Sequence, residues 1–481
     1  MRILIVPMIF LLCGCSASLP ENALLMETTA SIYPDYAGIT IPPNIAPLCF
    51  DILGDYDQYI TQLIAPGENT LTIKGKHVVF PLTKWKKILA ESVGQKLKMI
   101  IYVKKANQWY RFPDIVNFVA PEPIDSYVSY RLIEPLDESW GEMGLYQRNI
   151  ETFEEKEIIH NRLLESQCVN CHSFQNYRTN NMMFHIRGKN GRTVFVANGQ
   201  PMPIQTKTKG SFAAAVYPSW HPSLPLIAFS TNTTGQIFHS LNKNLVEVID
   251  FRSDLLLYNV ETKQLNPIIK TDDAFETFPY WSPDGKYLYY CVARSPVART
   301  DYGNPERKVA VTDSFASIRY DIMRMPFDTS NLSFGAPDTV FLASAIGKSA
   351  TFPRISPDGK YLLMTVGNYG NFHIWHKESD LFLLDLQTGK YRSMDEINSN
   401  ETESYHSWSS NGRWIIFSSR RDDGAFTRLY LAYFDHEGKA RKPFILPQRN
   451  PSHNLELFKS YNIPEFTVEP VKLSPGQFLK H

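Results

Sequence analysis

The chain has no net charge, because 49 Lys and Arg residues face 49 Asp and Glu residues, so the electrostatic footprint of a nucleic-acid binder is missing. Glycine is scarce, at 25 of 481 residues, while proline reaches 32; that balance excludes a fibrous or disordered chain and favours ordered turns. Beyond the amino terminus no stretch of 18 apolar residues occurs, so nothing later in the chain is expected to span a bilayer as a helix. Enzyme signatures are missing too. There is no G-x-S-x-G, H-E-x-x-H, P-loop or dinucleotide fingerprint, and the acidic residues are too scattered to single out a glycosidase pair. An enzyme is therefore not the expected reading. Six cysteines are too few for a disulfide scaffold at this length. What is present is 43% hydrophobic and 13% aromatic residues, stock for a large core, in a chain long enough for two or more folding units.

Residues 1–14 read as an export signal: Arg2 supplies the positive start and Ile3 to Leu12 the short apolar run. Leu12-Cys13-Gly14-Cys15 resembles the lipobox of bacterial lipoproteins. The resemblance implies that Cys15 is lipidated and becomes the first residue of the mature chain, anchored stably by its acyl chains. Ser16 in place of an aspartate favours the outer membrane under the sorting rule of that class, on either the periplasmic face or the cell surface. Residues 15–37 then suit a tether. Cys49 and Cys291 are expected to be buried free thiols.

Residues 38–136 carry alternating apolar runs separated by polar, Gly or Pro breaks, the pattern of a small antiparallel β-sandwich of immunoglobulin-like type. One helix interrupts it, with Thr83 as its cap, Trp85, Ile88 and Leu89 on one face and Gly94 at its end. Residues 137–180 read as a helical linker, because Thr152 and Glu155 at the start of Glu151 to Gln167 have the spacing of a capping box.

Past residue 180 the chain repeats itself. Phe278-Pro279-Tyr280-Trp281-Ser282-Pro283-Asp284-Gly285-Lys286-Tyr287 aligns with Phe352-Pro353-Arg354-Ile355-Ser356-Pro357-Asp358-Gly359-Lys360-Tyr361 and with Tyr405-His406-Ser407-Trp408-Ser409-Ser410-Asn411-Gly412-Arg413-Trp414. A weaker copy starts at Tyr217-Pro218-Ser219-Trp220-His221-Pro222. Each unit is strand, tight turn, strand: proline presets the turn, Asp or Asn tolerates its next position, and glycine takes the left-handed conformation. Two further strand patterns follow each copy, and four antiparallel strands make a propeller blade. Met182 to Arg187, Thr193 to Ala197 and Met202 to Thr206 read as an incomplete unit that Phe466 to Val471 could close. The expectation is a mainly β protein with a propeller of five to seven blades over residues 181–475. These repeats resemble those of the periplasmic protein TolB, which implies a binding platform in the cell envelope.

Cys168-Val169-Asn170-Cys171-His172 is C-x-x-C-H, the spacing at which two thiols bond the vinyl groups of one covalent haem c while the histidine binds its iron. A redox dithiol, a zinc half-site and coincidence are the other readings. If haem is attached, the axial ligand opposite His172 sets its chemistry. His185 leads as that ligand, with Met182, Met183, His221, His239 and an open position as alternatives. The expectation is an envelope lipoprotein in which haem transfers or senses electrons while the propeller binds an unidentified envelope or redox partner. The rivals are a non-redox scaffold for envelope proteins or glycans, and a haem peroxidase with His185 as the distal base.

Overall fold

The computed structural model describes residues 19–479 apart from 68, 135–140, 190, 205, 207–211, 241–243, 272 and 298–304. The export signal and Cys15 lie outside the described residues. Among the described residues, no helix is long and apolar enough to cross a membrane.

The first unit is a seven-stranded sheet built on Gln58–Ile64, Lys96–Lys105 and Ile115–Val119, accompanied by a three-stranded sheet of Ile32–Tyr33, Phe50–Ile52 and His77–Val78. The expected antiparallel sandwich is corrected here. Leu24–Leu25 pairs in parallel with Gln108–Arg111, and Thr40–Ile41 in parallel with Ile115–Val119. The helix Leu82–Ser92 buries the foreseen face of Trp85, Ile88 and Leu89, with the Trp85 ring stacked on Phe80 at 5.4 Å and its Nε1 donating to the Ile45 carbonyl at 2.9 Å. Pro81, in an extended conformation, rather than Thr83 precedes the first turn, and no side chain caps it. Gly94 follows the last turn at φ +70°.

Among the described residues, the rest of the chain forms six antiparallel sheets. The first pairs Tyr127–Ile133, Gly144–Asn149 and Glu155–His160 with the distant strand Ser460–Thr467. The other five begin with inner strands Cys168–Gln175, Ala215–Trp220, Ala274–Trp281, Ser349–Ile355 and Glu403–Trp408. Neighbouring inner strands touch in cyclic order, and the series returns through Ser460–Thr467 to Cys168–Gln175. The arrangement is of the β-propeller type, closed by the carboxy-terminal strand.

This ring overturns the helical linker. Glu155–His160 is a strand, and only Asn161–Leu163 makes a short 3-10 turn. The adjacent β-branched Ile158 and Ile159 are poor in helices and fully buried in the strand, whose backbone finds partners in Gly144–Asn149. The Thr152 hydroxyl accepts from the Glu154 amide at 3.1 Å and closes a turn instead of opening a helix. Tyr127–Ile133, assigned by sequence to the first unit, belongs to the ring, and the closing strand is Ser460–Thr467, offset from the expected Phe466 to Val471.

The aligned turns share one hydrogen-bond pattern. Ser282 donates to Asp284 at 2.6 Å, and Asp284 accepts from the Lys286 amide at 3.1 Å. Ser282 also accepts from the Tyr287 amide at 2.9 Å. Ser356, Asp358 and Tyr361 repeat this, as do Ser409, Asn411 and Trp414. The last sheet also carries the first unit: Ser410 donates through its amide to Asp125 at 2.7 Å, and Tyr433 through its hydroxyl to Glu122 at 2.8 Å.

Candidate functional site in the axial cavity

Every inner strand contains the same irregularity. Two consecutive residues drop out of the ladder, and the first of them has positive φ: Cys171 (52°), Tyr217 (50°), Phe278 (51°), Phe352 (52°), Tyr405 (46°) and Ile463 (52°). Such a bulge re-aims the side chains beside it. The positive-φ residues form a ring of close contacts around the axis, with centroids 4.4 Å apart for Tyr217 and Phe278, 4.3 Å for Phe278 and Phe352, and 5.0 Å for Phe352 and Tyr405.

Two residues further along each strand stands a second set of equivalent positions: Ser173, Ser219, Tyr280, Arg354, Ser407 and Glu465. All six line one cavity of about 490 Å³, within the usual range for small-molecule sites. Arg354 lies over the Tyr280 ring at 4.8 Å and donates to its neighbour's carbonyl, Pro353, at 3.0 Å. Burial pushes the Glu465 carboxyl up to about 7, against the opposing pull of Arg354 and of the Phe174 backbone. Ser407 is committed to the Pro464 carbonyl at 2.6 Å, and the Ser219 hydroxyl accepts from the Trp281 amide at 3.1 Å. Walls of Trp220, Trp281, Trp408 and Phe466 complete the site. On the far side of the aromatic ring, Val246 and Ile249 of the long hairpin Leu226–Phe238/Val246–Asn259 join Phe278, Phe352 and Tyr405 in one apolar cluster. The hairpin is pinned there by buried groups. Asp250 accepts from Tyr320 at 2.7 Å and from Asn371 at 2.6 Å, while His376 meets Glu247 at 2.7 Å.

The C-x-x-C-H segment is the bulge of its own sheet. Cys171-His172-Ser173-Phe174 occupies the place of Tyr405-His406-Ser407-Trp408, and the match extends to contacts. His172 is 2% exposed beside Ser129, Arg131 and Ile463 of the preceding sheet. His406 is 1% exposed beside the corresponding Leu363, Thr365 and Phe352. Burial, reinforced by Arg131 in one case and Arg354 in the other, lowers His172 to about 4 and His406 to about 3. Both rings are neutral wedges between sheets. They differ in that His406 Nε2 reaches the Leu363 carbonyl at 3.0 Å, whereas neither His172 nitrogen completes a hydrogen bond.

Such a haem does not fit the residues as folded. Cys168, 4% exposed, packs on Ile133 and Met143. The Cys171 sulfur lies 4.0 Å from Arg187 Nη2 on the ring. Neither sulfur is in a disulfide. His185 is buried on the opposite face of the sheet from His172, against Phe229 of the next sheet, with Nδ1 2.7 Å from the Thr193 hydroxyl. Met183 shares that face, whereas Met182 packs with Val169 on the His172 side. His221, at the position serine holds in the other copies, serves its turn: Nδ1 accepts from the Ser223 and Leu224 amides at 3.2 and 3.0 Å. His239 lies 6.0 Å from Phe315 beside the long hairpin.

Proline already fills the place of His172 in four copies, as Pro218, Pro279, Pro353 and Pro464. His172→Pro is therefore expected to fold, at a cost of no more than roughly 3 kcal/mol for the lost wedge. Thermal unfolding followed by circular dichroism checks this, and loss of the folded state would contradict the equivalence. Arg354 and Glu465 do not stand among the sequence candidates. Their signal is the third residue of the aligned copies, which changes from Ser219 to Tyr280 to Arg354 to Ser407 while its neighbours stay alike.

No family model matches the chain. A segment is 29% identical over 186 residues to an uncharacterized protein of Agrobacterium fabrum, which is 35% of this chain and 59% of that protein. Among solved structures, the tricorn protease is 10% identical with a TM-score of 0.34, covering 83% of this chain and 43% of its own. Prolyl oligopeptidase B from Galerina marginata is 9% identical with a TM-score of 0.37, covering 91% and 62%. An oligogalacturonate lyase from Vibrio parahaemolyticus is 11% identical with a TM-score of 0.32, covering 62% and 85%. At these scores the fold rests on this chain's own strand pairing.

Proposed function

We propose that the chain is a ligand-binding platform: a six-bladed propeller, tethered in the cell envelope through lipid on Cys15, whose axial cavity holds a small polar ligand. One observation carries this reading. Six equivalent positions converge on one cavity, and two of them carry an arginine and a glutamate where the others carry three serines and a tyrosine. A fold that needed only closure would have little use for an arginine and a glutamate turned into the cavity, because drawing ionisable groups out of water costs free energy. The non-redox reading gains from the equivalence of His172 with His406, which gives the C-x-x-C-H segment a structural task.

The test is a ligand-observed magnetic resonance screen of small polar molecules against the exported protein and Arg354→Ala. Hits should bind the first and lose at least tenfold in affinity for the second, the loss of about 1.4 kcal/mol expected at minimum for a charge-assisted contact. Hits that bind both alike would contradict the assignment of the cavity.

A further inference from the structure

We infer that the ligand of the axial cavity is a small zwitterion with an apolar body, its carboxylate held by Arg354 and its ammonium by Glu465; this rests on the cavity being the binding site. The two groups share the ring and feel each other's field, but they do not meet in a direct ion pair. They stand at alternate positions with Ser407 between them, and no ion pair joins them among the described residues. The Arg354 guanidinium lies over the Tyr280 ring, and its Nη1 is held by the Pro353 carbonyl. A planar fork fixed in this way is suited to receiving a carboxylate.

A purely anionic ligand would bring its charge toward Glu465, and a purely cationic one would bring its charge toward Arg354. A molecule carrying both charges satisfies both groups and leaves no buried charge alone. The intervening serines add little recognition, since Ser407 and Ser219 are spent on the protein's own backbone. The indole and phenyl walls, Trp220, Trp281, Trp408 and Phe466, set the character of the rest of the ligand, a compact apolar or aromatic body between its two charged ends. Arg178, at the exposed rim, is the other cation of the lining.

Isothermal titration with phenylalanylalanine and its two blocked forms tests this. The free dipeptide should bind, while N-acetylation, which removes the ammonium, and C-amidation, which removes the carboxylate, should each weaken binding at least tenfold. Glu465→Gln should erase the penalty of acetylation and keep that of amidation, a pattern that a merely structural role would not produce. Blocked forms that bind as well as the free dipeptide would overturn the zwitterion while leaving the cavity reading in place. Failure of all three to bind would overturn it as well, and the Arg354 dependence of hits in the wider screen then judges the cavity on its own.

Discussion

A chain ending at Lys459 should lose cooperative folding. The strand Ser460–Thr467 is the inner strand of the first sheet, paired with Tyr127–Ile133 through most of its length. It buries Tyr461 and Phe466, each 2% exposed, and sets the Tyr461 ring 5.0 Å from Tyr130. It also ties the first sheet to the last, because Thr427 and Ser418 donate to the Tyr461 carbonyl at 2.7 and 3.2 Å. Removing it forfeits the burial of two large aromatic side chains, worth about 1.5–3 kcal/mol each, and opens the edges of two sheets. A sum of that order is a large part of the roughly 5–15 kcal/mol that holds a domain folded. Calorimetry should show no sharp transition for the truncated chain, and adding residues 460–481 as a separate peptide should restore one. A truncated chain melting like the parent would contradict closure of the ring.

Glu276→Gln should stabilise the protein strongly at alkaline pH and little in acid. The Glu276 side chain is fully buried; Thr271 donates to Oε1, while Oε2 has no hydrogen-bond partner. Burial first, with Asp254 and Asp273 adding to it, pushes the carboxyl up to about 8 against the opposing pull of Thr271. The folded state therefore keeps a proton that the unfolded chain releases near the ordinary glutamate value of about 4.3. Stability from this group is full below that value, falls as pH rises through the window, and is lost above about 8. The neutral amide escapes this loss, a difference on the order of 5 kcal/mol at pH 9 and close to none at pH 4. Urea unfolding of both proteins at the two pH values measures it, and an equal difference at both would contradict the assignment.

How much of this was legible in the sequence follows from where each signal resides. The Ser-Pro-Asp-Gly turns are local chemistry, so the strand-turn-strand units and the β-propeller type were readable from three aligned passages. The helix Leu82–Ser92 was readable because Trp85, Ile88 and Leu89 follow its period. The first sheet was not: Tyr127–Ile133 needs a partner more than three hundred residues away, which no local pattern announces. Two inner strands also hide among the repeats. Ile463-Pro464-Glu465-Phe466 stands at the end of the chain without its turn, and Cys171-His172-Ser173-Phe174 has lost both the proline and the aromatic residue of its bulge. In the second case the spacing of two cysteines and a histidine draws the eye to haem chemistry, while the Ser173-Phe174 that follows carries the repeat. The charged pair escaped notice because Arg354 and Glu465 are far apart in sequence and only the bulges turn them onto one axis.

The most direct measurement is the intact mass of the exported chain from a haem-competent host, taken after acid-acetone extraction. The account predicts the lipidated polypeptide alone, with Cys168 and Cys171 both open to alkylation once the protein is unfolded. A species heavier by one haem, with both thiols blocked, would contradict it.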